Sequence, residues 1–120
     1  MAFIKSIRHA VRGVLAVLKS ERNARLHLVA AVAALVLGLV LGVSSAELAA
    51  IFFAALLVFL AEMTNTAIEK TLDVIKDKHD PRIGLIKDMT AGAVLVAAVG
   101  AVAIGVAIFW PYILGLVWQH

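Results

Sequence analysis

Two glutamates and an asparagine stand inside one of the most apolar stretches of this chain: Glu62, Asn65 and Glu69, followed by Asp73 and Lys76. At about 100° per residue they fall at roughly 0°, 300°, 340°, 20° and 320°, so a helix here carries all five on one narrow stripe. An ionisable residue at membrane depth costs about 2.5 to 3.5 kcal/mol on insertion scales, and its default reading is functional. The structural alternative, an interhelical hydrogen bond worth under ~2 kcal/mol, has that cost to explain twice. Glu21 upstream and Lys87 with Asp88 downstream belong with the stripe. Carboxylates arriving from separate helices at one depth suit Mg²⁺, which takes hard oxygen ligands and is commonly held by one or two carboxylates together with substrate phosphates. A lysine beside them balances phosphate charge, and an acid not used by the metal can accept a proton from an attacking hydroxyl. That chemistry is phosphoryl transfer at a membrane surface. Neither G-x-x-x-x-G-K-[ST] nor G-x-G-x-x-G occurs, so ATP binding here would need an unrelated framework.

The elements that must position these groups follow from composition. With 120 residues, 63% hydrophobic and 16% charged, and a mean hydropathy of +1.03, the chain is expected to be a single-domain, all-α integral membrane protein. It has no cysteine, which excludes disulfides and thiolate metal sites. All eleven Lys and Arg residues lie in two blocks, one of Lys5, Arg8, Arg12, Lys19, Arg22 and Arg25, the other of Lys70, Lys76, Lys78, Arg82 and Lys87. The positive-inside rule puts both blocks in the cytoplasm, the N-terminus with them and the C-terminus outside, so the number of spans is odd.

Residues 1–20 read as an interfacial helix. Phe3, Ile4, Ile7, Val11, Val14, Leu15 and Leu18 recur at helical spacing, with basic side chains opposite, as in a helix lying flat on anionic lipid. A cleavable targeting peptide is also basic and amphipathic, but its usual serine richness is missing. The first span is expected at 26–45, with Ala30, Ala34, Gly38 and Gly42 giving a small-residue packing face. Ser45 is the expected N-cap of the second span, 47–76, which extends into the cytoplasm. Residues 77–84 read as a cytoplasmic connection broken by Pro81 and Gly84. The third span is expected at 85–110, with Ala93, Ala97, Ala101 and Gly105 repeating the small spacing and Trp110, Tyr112 and Trp118 marking the outer interface. His27 reads as an interfacial anchor.

Glu62-x-x-Asn65-Thr66-Ala67-Ile68-Glu69, then Asp73, then Lys87-Asp88-x-x-Ala91-Gly92-Ala93-Val94-Leu95 resembles the bacterial small membrane kinases, the diacylglycerol kinase and undecaprenol kinase family. Ser20-Glu21-Arg22-Asn23-x-Arg25-x-His27 is similar to the form in Gram-positive members, which mostly phosphorylate undecaprenol. The likeness covers nearly the whole chain. It implies a homotrimer in the bacterial inner (plasma) membrane, with its active site on the cytoplasmic side, moving the γ-phosphate of ATP to a lipid hydroxyl with Mg²⁺. By the family's pattern Glu62 is the general base and Glu21 and Glu69 hold the metal that bridges the ATP phosphates. Asn65 orients Glu62 or the lipid hydroxyl. Lys87 and Asp88 bind nucleotide, with Lys78, His79 and Asp80 along its polar end, and the region of Asn23 and Arg25 faces the lipid. His9 stands where the family's surface helix often has an aromatic residue near the nucleotide. The loop also departs from the family, since Asp80 rather than a histidine precedes Pro81.

The rival class is a small transporter or channel in which Glu62 binds protons or cations. Such a protein has no use for Glu21 and Lys87-Asp88 at the cytoplasmic rim. A mere assembly subunit needs none of the acids, and no nucleic acid partner is expected.

Overall fold

The computed structural model describes residues 1–75 and 79–119. Among these residues lie four helices: α1 (Ala2–Ser20), α2 (Arg22–Leu41), α3 (Ser45–Asp73) and α4 (Pro81–Val117). The last three are long and apolar enough to cross a membrane, in agreement with an all-α membrane protein. α3 is the centre. It packs against both α2 and α4, which touch each other only marginally, and the resulting body measures 63 × 43 × 21 Å. No residue of α4 is buried, so its large apolar surface is left for lipid or other copies.

Each helix end has a local cause. Glu21 alone separates α1 from α2, with extended backbone at φ −113° and ψ 115°. Arg25 closes this corner, its guanidinium donating to the carbonyls of Leu18 at 2.8 Å and Lys19 at 3.0 Å, where a cation complements the negative end of α1. α2 stops at Leu41 because Gly42 adopts φ +69°, a left-handed cap that glycine takes without strain. Gly42 therefore ends the helix instead of continuing the small-residue face, and the helix stops four residues before the end expected at 45. The N-cap of α3 is Ser44, not Ser45. Its hydroxyl accepts from the Glu47 N–H while Glu47 accepts from the Ser44 N–H, both at 3.1 Å, a reciprocal capping box. Tyr112 donates to the same Glu47 carboxylate at 2.7 Å, tying the far end of α4 to the start of α3.

α4 starts at Pro81, earlier than the expected 85, because proline suits the first helical position, where its missing N–H costs nothing. Asp80 caps it, accepting from the Arg82 N–H at 2.9 Å and gripping the Arg82 guanidinium at 2.6 to 3.0 Å. Those bonds hold the Asp80 carboxyl below the usual carboxylate range. Proline and glycine, read as breakers of the pattern, thus lie inside the first turn of a helix.

The small-residue face of α2 does its packing at Gly38. A β-carbon there would stand 3.2 Å from Leu48 Cδ1 and 3.3 Å from Val43 Cγ2. Gly38→Val is therefore expected to destabilise the hairpin of α2 and α3 by about 1 to 3 kcal/mol through overpacking. Thermal unfolding in detergent micelles should show a lowered Tm, whereas Gly13→Val, at a position with nothing within 4 Å, should leave the packing of that hairpin intact.

Candidate functional site

The buried face of α3 runs Ile51, Ala54, Val58, Glu62 and Thr66, so the polar stripe continues the apolar one that packs the helix. Glu62 is 3% exposed and Thr66 2%. Glu62 faces α2, where its Oε2 lies 3.8 Å from His27 Nε2. Its carboxylate is also within electrostatic reach of Glu21 and Glu69.

Register explains why those acids gather. α2 and α3 run antiparallel, with Gly38 of α2 facing Leu48 and Ile51 of α3 and His27 facing Glu62. Glu21, just before α2, and Glu69, in the last turns of α3, therefore lie toward the same end of this hairpin, and both act electrostatically on Glu62. Both carboxylates are half-buried, and neither has a hydrogen bond or ion pair among the described residues. Among those residues no group of three or more His, Asp or Glu side chains has a metal-binding arrangement. Two uncommitted carboxylates, each acting on Glu62, nonetheless match the oxygen donors that Mg²⁺ takes when phosphates and waters complete its shell.

One turn beyond Glu69, Asp73 accepts from Lys87 Nζ at 3.0 Å, linking the inner ends of α3 and α4. With side chains 64% and 41% exposed respectively, this pair is worth little. Lys87 is held near the acids by a contact that is cheap to exchange.

Asn65 lies on the other flank of α3, lining a groove of about 470 Å³ with Thr64, Met89, Thr90 and Ala93. Its Oδ1 is buried without a partner, as is Thr66 Oγ1. Thr64 and Thr71 use their hydroxyls on the carbonyls of Leu60 and Ala67, four residues back, the ordinary habit of threonine in a helix. Thr66 does not, and a buried polar atom left unpaired calls for an explanation.

The remaining sequence candidates are less concentrated. Asp80 is occupied in capping α4 and Arg25 in closing the corner of α1. His9, Asn23 and Asp88 are exposed and make no hydrogen bond or ion pair among the described residues. His79 is exposed but not without an interaction, and Lys78 lies outside the described residues. Two residues were passed over by sequence reasoning. His27 looked like an anchor, although it lies in the same antiparallel register as Glu62. Thr66 sat inside the motif without a role, and its one signal was a threonine four residues after a buried acid.

The arrangement thus offers a buried acid, two uncommitted carboxylates at the level of the helix ends and an exchangeable lysine. Residues 8–109 match the family model described as prokaryotic diacylglycerol kinase. An undecaprenol kinase of Bacillus subtilis is 44% identical over 109 residues, covering 91% of this chain and 89% of that protein. A diacylglycerol kinase of Synechocystis sp. is 32% identical over 112 residues, covering 92% of this chain and 64% of the relative's length.

Proposed function

The chain belongs to the prokaryotic diacylglycerol kinase family, and from that premise we propose that it uses ATP and Mg²⁺ to phosphorylate a membrane lipid alcohol, undecaprenol ahead of diacylglycerol. Lipid phosphorylation is what the names of both relatives have in common. The acceptor preference leans on the nearer one, which this chain matches over 89% of its length. The observation that carries the reading is Glu62, an acid 3% exposed in a membrane helix, with Glu21 and Glu69 close enough to act on it.

In the proposed reaction the lipid hydroxyl oxygen forms a bond to the γ-phosphorus of ATP, the bond from that phosphorus to the β,γ-bridging oxygen breaks, and ADP leaves. Glu62 takes the hydroxyl proton. Burial keeps that carboxylate out of water, so it acts on the alcohol rather than on solvent. Glu21 and Glu69 would hold Mg²⁺, which supplies charge neutralisation along the triphosphate. Lys87 leaves Asp73 for phosphate oxygens, with Asp88 beside it on the nucleotide, and His9 and His79 serve the nucleotide's polar end. Asn65 presents its unpaired carboxamide oxygen to the lipid hydroxyl or to Glu62, and Asn23 faces the lipid headgroup, while Arg25 holds the corner between α1 and α2. The N-terminus and the site lie on the cytoplasmic side of the bacterial plasma membrane, where the two basic blocks belong, and the open face of α4 is covered in a homotrimer.

The test offers purified protein labelled ATP with undecaprenol and diacylglycerol side by side in mixed micelles. Faster labelling of undecaprenol is expected. A preference for diacylglycerol overturns the acceptor assignment, and labelling of neither lipid overturns the activity.

A further inference from the structure

A base buried as deeply as Glu62 has a second problem: the proton it takes must leave before the next turnover. On its own helix the neighbouring acid, Glu69, lies two turns away, about 10 Å along the axis. The titratable groups that act on Glu62 are His27 from α2, Glu21 from the corner of α1 and α2, and Glu69 from α3. His27 Nε2 stands 3.8 Å from the Glu62 carboxylate. The imidazole also borders an apolar groove of about 360 Å³ lined by Ala30, Ala34, Ala54 and Ala101. Its side chain is 29% exposed against 4% for Glu62, so the imidazole is the less enclosed of the two. Arg22 and Arg25, less than two turns back along α2, belong to the basic block that marks the aqueous interface.

We propose that His27 is the proton exit of this site: it positions Glu62 through the Oε2 to Nε2 contact, accepts the proton Glu62 has taken from the lipid hydroxyl, and delivers it to interfacial water. This rests on the reading of Glu62 as the base. The transfer balances. The lipid oxygen loses its proton as it bonds to phosphorus, Glu62 becomes a neutral acid, His27 becomes imidazolium and Glu62 a carboxylate again, and His27 then returns to neutral by releasing a proton to water. A gap of 3.8 Å is closed by a small side-chain adjustment or one bridging water, and such contacts tighten when substrate is bound. Imidazole suits the task because it has two ring nitrogens, one able to face Glu62 while the other faces away from it.

The test compares His27→Ala, His27→Gln and Glu62→Gln as full chains in lipid micelles. His27→Ala is expected to lower kcat by roughly ten- to a hundredfold, toward the low end of what a placed proton-transfer group contributes, with the KM values for ATP and lipid little changed. Added imidazole should restore much of that kcat, and the acid limb of the pH profile of kcat should differ from wild type. His27→Gln keeps a hydrogen-bonding group but carries no proton, so it should be as slow as His27→Ala and remains decisive if the alanine variant does not fold. Wild-type kcat in His27→Gln, or a slow His27→Ala that imidazole leaves slow, overturns the relay while an inactive Glu62→Gln keeps the base. Wild-type activity in Glu62→Gln overturns the base and the relay together.

Discussion

Glu62→Gln is expected to lower kcat for ATP-dependent lipid phosphorylation by roughly 10²- to 10⁴-fold, the range that a positioned general base supplies. The substitution is nearly isosteric, so Asn65, Thr66 and His27 keep their places and the packing of α3 on α2 survives. A neutral amide is also cheaper to bury than an ionised carboxylate, so the Tm in micelles should hold or rise. Loss of rate at undiminished stability separates a chemical role from a structural one. KM for ATP should move little, because the proposed nucleotide contacts lie at the level of Glu69 and beyond. A variant as fast as wild type would return Glu62 to the status of an interhelical contact with His27.

That contact shows where a sequence stops being readable. The helices themselves were legible from hydrophobic runs and charge blocks, because a membrane helix needs a length of apolar residues that few other elements use. Their ends were less so, since a cap is a matter of one residue's backbone. Gly42 fits a small-residue repeat as well as it fits a left-handed cap, and only the backbone distinguishes the two. Ser44 and Ser45 compete for one capping position, decided by which of them has Glu47 three residues ahead. Pro81 announces a break or a beginning with equal force, and Asp80 before it makes it a beginning.

The burial of Glu62 was legible for a different reason: a buried charge is expensive, so its presence in an apolar stretch is conspicuous. Partnerships between helices were not. The likeness of His27 to an interfacial anchor is real, and nothing short of the antiparallel register of α2 and α3 brings it to Glu62. Thr66 and Thr64 are chemically identical and two positions apart. One spends its hydroxyl on the carbonyl four residues back and the other is buried with its hydroxyl unspent, a difference made by packing. Asp80 and Arg25 illustrate the converse, for residues that fit a substrate role by type are engaged in holding helix ends.

The same register argument yields the second large effect. If Glu21 and Glu69, both acting on Glu62 and otherwise unpartnered among the described residues, share one Mg²⁺, then Glu69→Ala removes one of few protein ligands from an ion that is otherwise held by phosphates and water. The Mg²⁺ concentration for half-maximal activity is expected to rise by about tenfold or more, each tenfold being about 1.4 kcal/mol of lost affinity. Much of kcat should return at saturating Mg²⁺, since Glu62 and His27 are untouched. Glu21→Ala should shift the titration in the same direction. Two ligands of one ion are coupled, so the double variant should depart from the product of the two single effects, whereas two carboxylates acting separately give additive free energies. A magnesium titration of Glu69→Ala that overlays wild type would remove Glu69 from the metal and leave the assignment of Glu62 standing, because the two positions are tested by different variables: one by the ion's concentration, the other by the rate at its saturation.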